Sequence, residues 1–170
     1  MDKIEKSDTM LTNRAGRYYI AQSPYITTAN KEQGMFMIDN KSDKLTICID
    51  KIYLFSYTYT FWRVTFNEQY IKGGTQLVPV STNREKKKAF PSDNITIVGL
   101  NREHEISIES SLKENNFDGN LTFRTGDYQT MEILAGTEVI LGNGDAMTVY
   151  ATWDGGIGGP ANCDIRFHLE

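Results

Sequence analysis

Beyond residue 34, apolar and polar side chains alternate with a period of two, the spacing of strands that bury one face. Leu45, Ile47 and Ile49 alternate with Thr46, Cys48 and Asp50, and Met147, Val149, Ala151 and Trp153 share one face. Cys163, Ile165, Phe167 and Leu169 alternate with Asp164, Arg166, His168 and Glu170. Short apolar runs at 35–39, 95–98 and 139–141 predict further strands, the last of them buried. His104, Ile106 and Ile108, set between Glu103, Glu105, Ser107 and Glu109, predict a strand with one wet face. Helical spacing is nearly absent. Residues 116–130 are too rich in turn formers for a helix, and 110–115 allow one turn at most.

The most informative stretch is 52–66. Its odd positions Tyr53, Phe55, Tyr57, Tyr59 and Phe61 are aromatic, and beyond them Trp62, Val64 and Phe66 are apolar while Arg63 and Thr65 are polar. One face cannot stay buried through that change of phase without an extra residue, so a bulge or bend is expected near Phe61 and Trp62. A core-facing ladder accounts for the aromatics. Three of the five are tyrosines, whose hydroxyls seek partners when buried, so a half-exposed subunit interface is the competing reading.

Turn chemistry sets the remaining boundaries. Pro79 has no amide hydrogen for a ladder, which makes the segment around Leu77, Val78 and Val80 an edge or a loop. Residues 81–93 read as a long polar surface loop. Residues 113–120, Ala135-Gly136 and the glycine-rich 154–160 read as connections, and Gly142-Asn143-Gly144-Asp145 as a hairpin turn. About eight or more short strands over one domain's length predict an all-β, two-sheet sandwich of jelly-roll type across 35–170. Residues 1–34 lack a sustained period and read as an extended N-terminal arm or irregular lead-in.

Composition narrows the function class. Hydrophobic residues make up 39% of the 170 and charged residues 24%, which excludes a disordered chain, and no apolar run approaches the roughly 20 residues of a membrane span. The charge-alternating start, Met1-Asp2-Lys3-Ile4-Glu5-Lys6, carries no secretory signal, so the chain is expected to stay in, or be assembled in, the cytoplasm where it is made. A net charge of −4 gives no general attraction for nucleic acid. Cys48 and Cys163 fall in strand patterns and read as buried, reduced thiols.

Candidate chemistry is sparse. His104 and His168 are the only histidines, with Glu103, Glu105 and Asp164 near them in sequence; each reads as a strand residue rather than a ligand, so no metal and no cofactor are expected. Asp145 and Asp154 flank a strand in the manner of a glycosidase pair, but aspartate beside glycine is the composition of a turn. Gly142-Asn143-Gly144 lacks the lysine and hydroxyl residue of a phosphate loop, and Asp118 to Asn120 is too short for a calcium loop. Lys86-Lys87-Lys88 reads as a solvated charge run. The chain is expected to be a binding protein, not an enzyme, and the scarcity of histidine disfavours a cupin-like catalyst.

Gly73-Gly74-Thr75, then Pro79, then Asn83-Arg84 resembles a pattern in small, β-rich virion structural proteins of tailed bacteriophages. The turn at Ala135-Gly136 and the terminal strand ending Phe167-His168-Leu169-Glu170 are similar to the same layout, so the resemblance spans about 61–100 and 133–170. The chain departs from the pattern at Ser81, where the family has Asn, and at Glu85, where it has Ser or Thr. The resemblance implies a capsid decoration or cement protein in the virion, a homo-oligomer and most simply a trimer, that clamps neighbouring subunits of the major capsid protein or another virion protein. Contacts are then expected from Arg14, Arg17 and Tyr18 in the arm and from Arg84, Lys86, Lys87 and Lys88 in the loop. The alternative is a carbohydrate- or receptor-binding module, on a head fibre or tail, with Trp153 as the sugar platform and Asp154 as its polar partner.

Overall fold

The computed structural model describes residues 16–28, 32–67, 74–83, 85, 88–99, 120–134, 137–153 and 158–170. Among them no helix forms, and none is long and apolar enough to cross a membrane. The strands are β1 Tyr18–Gln22, β2 Ile26–Thr27, β3 Gln33–Asn40, β4 Ile47–Ser56, β5 Thr60–Phe66, β6 Thr75–Gln76, β7 Val80–Ser81, β8 Ile95–Gly99, β9 Asn120–Thr125, β10 Gln129–Ile133, β11 Val139–Leu141, β12 Ala146–Trp153 and β13 Pro160–Leu169. They form two antiparallel sheets. Sheet 1 runs β10-β4-β13-β1-β7, with β11 also on β4 and β2 also on β13; sheet 2 runs β6-β8-β3-β12-β5-β9.

The inner faces of both sheets meet in one core, so the chain is a β-sandwich. The alternation read from β12 and β13 holds: Met147, Val149, Ala151, Cys163, Ile165 and Phe167 are all sealed from solvent. Trp62 on β5 lies fully inside, and its indole N–H donates to the Thr125 hydroxyl at 2.9 Å across β9. Pro79 lies between two edge strands, β6 on sheet 2 and β7 on sheet 1, as its missing donor requires.

The expected change of phase occurs elsewhere. Ile52, Leu54, Ser56, Thr60, Trp62 and Val64 are all buried, so the even positions face inward on both sides of Phe61. The aromatic odd positions therefore lie on the outside. The chain passes from sheet 1 to sheet 2 through the turn at 57–59, pinned by the Ser56 hydroxyl, which contacts the Thr60 hydroxyl at 2.6 Å and donates to the Thr58 carbonyl at 2.7 Å. The extra residue is Asp50. Across from it, Arg166 pairs with Lys51 and Phe167 with Ile49, a bulge that moves the buried parity from Ile47 and Ile49 to Ile52 and Leu54.

Four further expectations are corrected. The arm is not extended through residue 34: Tyr18–Gln22 is a sheet strand between β13 and β7, and Tyr19 and Ala21 enter the core. The run 139–141 is not buried throughout, because β11 is an edge strand whose Ile140 faces solvent at 61% exposure. The turn at 142–145 forms, with the Asp145 carboxylate accepting from the Gly142 amide at 2.8 Å and Gly144 at φ +86, yet it joins β11 in sheet 1 to β12 in sheet 2 rather than closing a hairpin. The polar loop 81–93 sends Phe90 down onto Tyr19 and Phe167, with ring centres 5.3 and 6.0 Å apart. The strand expected at 104–108 lies outside the described residues.

Candidate functional site

Among the described residues, the outer face of sheet 1 carries two side-chain clusters, at opposite ends of β13. Asn162, opposite Phe55, marks one end and His168, opposite Cys48, the other, about 20 Å away at the usual rise of a strand.

The first cluster is aromatic. Tyr25, Phe55, Tyr57 and Tyr128 form a continuous edge-to-face series, with successive ring centres 6.2, 5.1 and 5.1 Å apart. Tyr25 is 59% exposed, Tyr57 40% and Tyr128 75%; Tyr59, at the same end, is 59% exposed. The backbone beneath is built for close approach. A side chain at Gly158 would stand 2.0 Å from the Thr28 carbonyl oxygen, and one at Gly159 would stand 2.8 Å from the Thr58 methyl. The Tyr57 amide donates to the Pro160 carbonyl at 3.0 Å, and the Thr28 amide to the Gly159 carbonyl at 3.1 Å. Tyr128 sits in the turn between β9 and β10 at φ +53, a left-handed conformation that costs a bulky side chain energy and that glycine would adopt freely.

Towards the middle of the face the rings become paired. Arg166 lies over Tyr53 at 4.8 Å, and Lys51 bridges to Glu132 at 3.3 Å. Hydrogen bonds from Tyr53 and Lys51 hold the Glu132 carboxyl below its ordinary range. Burial pushes the Asp164 carboxyl up, Arg166 offsetting part of the effect, and one Asp164 carboxylate oxygen is buried without a hydrogen-bond partner.

The second cluster surrounds His168, which is 3% exposed although it points away from the core. Its Nδ1 lies 3.3 Å from Asp50 Oδ2, and its Nε2 lies 3.4 Å from Glu170 Oε1 and 3.8 Å from Glu138 Oε1. Tyr18 stacks on the imidazole, and burial first, then Asp50, push its phenol up to about 12. The Cys48 sulfur lies within 4.8 Å of the Glu170 carboxylate; burial first, then Glu138, Glu170 and Asp50, push the thiol up to about 12. These are the residues that could hold a metal ion, as Cys48, His168 and Glu170 or as Asp50, Glu138 and His168.

The residues expected from sequence are divided by the fold. Tyr18 is buried and engaged with His168 and Asp50, which corrects its expected role as an exposed contact. Arg17 and Lys88 are exposed. Trp153 is half-buried, with its indole nitrogen sealed and unpaired, so it offers no open platform. Arg14, Arg84, Lys86, Lys87 and Asp154 lie outside the described residues, as do His104, Glu103 and Glu105. Asp145 is spent on its turn and on Asn67, whose amide donates to it at 3.3 Å. His168 meets Asp50, Glu138 and Glu170, not Asp164 as sequence proximity suggested. Cys48 and Cys163 are both buried and free. Cys163 packs in the core while Cys48 lies beside His168 on the outer face, so no disulfide joins them. No family model matches the chain, and no curated protein matches it significantly.

Proposed function

We propose that this chain is a non-enzymatic accessory protein of a tailed-phage particle, jelly-roll in type and trimeric, that docks on neighbouring capsid subunits through the tyrosine-rich outer face of sheet 1. The observation that carries the docking role is the series Tyr25, Phe55, Tyr57 and Tyr128, solvent-facing and preset by its own ring contacts. Tyrosines concentrate binding energy at interfaces because they bury much area for few rotatable bonds, and rings already held in place lose little entropy on docking. The phage assignment rests on the sequence resemblance around Gly74, Thr75, Pro79 and Asn83. Repeated copies on a symmetric shell would let modest contacts add through avidity.

The test is co-sedimentation of purified protein with capsids, beside its solution mass by light scattering. Saturable co-sedimentation of a closed oligomer, lost on Tyr57→Ala, is the expected result. A monomer that never sediments with capsids would sink the proposal. The exposed tyrosines also suit a sugar ring, and glycan-array binding that disappears in Tyr57→Ala would replace the capsid by a carbohydrate.

A further inference from the structure

We propose that the cluster around His168 is a binding site for one divalent transition-metal ion of the zinc class, held by His168 Nε2, Cys48 Sγ and the carboxylates of Glu138 and Glu170. The inference is independent of the docking role and uses the other end of the sheet.

The donor spacing suits such an ion. Two ligands bound at about 2.0–2.2 Å on a tetrahedral centre stand roughly 3.4 Å apart. Glu170 Oε1 lies 3.4 Å from His168 Nε2 and converges with Cys48 on it, while Glu138 Oε1, 3.8 Å from Nε2, groups with His168 and Asp50, so the exposed Glu138 side chain must swing towards the other three donors to become the fourth ligand. The Cys48 sulfur lies within 4.8 Å of both His168 and Glu170. An imidazole nitrogen, a thiolate and carboxylates together are the mixed donor set that zinc and cobalt accept, whereas calcium and magnesium require oxygen alone.

The surrounding shell is also in place. A ligating histidine fixes its ring by giving its other N–H to a carboxylate, and Asp50 Oδ2 stands 3.3 Å from Nδ1 for that purpose. Tyr18 stacks on the ring, with centres 6.4 Å apart. This order leaves Nε2 facing outward to the two glutamates.

Charge balance points the same way. Three carboxylates ring the imidazole, Asp50 at Nδ1 and the solvent-facing Glu138 and Glu170 at Nε2, and among the described residues no lysine or arginine pairs with any of them. An M²⁺ ion would offset that negative charge. On binding, Cys48 releases its thiol proton to solvent and the sulfur bonds the metal as thiolate, with no change in oxidation state.

The competing reading is a His168 that only pairs with its surrounding carboxylates and has no affinity for metal. To separate the two, the full chain is stripped with chelator and titrated with Zn²⁺ alone by calorimetry and with Co²⁺ alone by absorption. One ion per chain is expected, with proton release, intense tetrahedral cobalt bands and a thiolate-to-cobalt charge-transfer band that Zn²⁺ removes. At about a hundredfold excess over Kd, zinc should raise the melting temperature by roughly 5–10 °C. Glu138→Gln, at an exposed position that leaves the fold intact, should weaken binding tenfold or more. Asp50→Asn should weaken it roughly 10–100-fold by freeing the ring, and Cys48→Ser should abolish the charge-transfer band. Glu132→Gln, on the same face but away from the cluster, should change nothing. Absence of saturable binding, affinity unaltered in Glu138→Gln, or weak octahedral cobalt bands without the thiolate band would overturn the assignment.

Discussion

Tyr57 and Tyr128 meet edge to face with ring centres 5.1 Å apart, although one ends the run out of β4 and the other tops the turn before β10. The pair spans the point where the chain leaves sheet 1, and Tyr128 reaches it only by holding a left-handed backbone at φ +53.

Tyr128→Gly should therefore separate stability from binding. Releasing the left-handed strain gains of order 1–3 kcal/mol, while the lost ring pair costs about 0.5–1.5 kcal/mol. Urea unfolding should show a variant at least as stable as the parent to within about 1 kcal/mol. Partner binding should fall markedly, as for Tyr57→Ala. A large loss of stability would mean that the ring is structural cement.

Trp62 and Thr125 form the most exacting contact of the core. Trp62→Ala should cost about 3–5 kcal/mol, a large share of the roughly 5–15 kcal/mol that keeps a domain folded. Thr125→Val keeps the volume but strands the indole N–H, and should cost about 1–3 kcal/mol in chemical denaturation.

Two shifted groups set the pH response. Burial, then Asp50, raises Tyr18 from 10.0 to about 12. The folded phenol thus keeps its proton after the unfolded one has lost it. The stability it contributes is complete below pH 10 and is lost as pH climbs through about 12. Alkaline unfolding followed by tyrosinate absorbance should show this, and Tyr18→Phe should flatten it. Asp164 obeys the same sign at the acid end, because burial raises its carboxyl. Stability falls as pH rises through the carboxylate range, so Asp164→Asn should stabilise the protein at neutral pH and have no effect at low pH.

Removing residues 1–34 should abolish cooperative unfolding rather than trim a free arm. β1 carries Tyr19 into the core and pairs with β13 from Tyr18↔His168 to Gln22↔Asp164. Its loss bares the edge of β13, and the expected product aggregates on size exclusion. A monodisperse, cooperatively melting product would show that sheet 1 closes without it.

The fold class was legible because β12 and β13 alternate cleanly, with β-branched and sulfur-bearing residues on one side and charged or hydroxyl residues on the other. The stretch 52–66 was legible as strand-forming but not as two strands of different sheets, nor as to which side faces in. A period of two separates two faces without saying which is buried, and five aromatics outweighed Ile52, Leu54 and Trp62 in any reading by hydrophobicity. β1 was hidden because Tyr18, Tyr19, Ile20 and Ala21 are apolar in succession, with no alternation to mark a strand. The His168 cluster could not be read at all. Its members come from β4, from the approach to β11 and from the end of β13, up to 122 residues apart (48 to 170), and only strand pairing brings them together.

The bulge at Asp50 gives the strand one residue more than its pairing with β13 uses. Upstream of it Cys48 looks outward among the polar groups; downstream Tyr53, Phe55 and Tyr57 do. Substitutions at either end of the sheet leave the other end's facing untouched, so the two surfaces can diverge separately. A deletion of Lys51 would close the bulge and leave Ile49, Asp50 and Ile52 alternating in, out and in, so both surfaces would keep their facing. That makes 50–51 the place in the strand where one residue can be lost with the alternation intact.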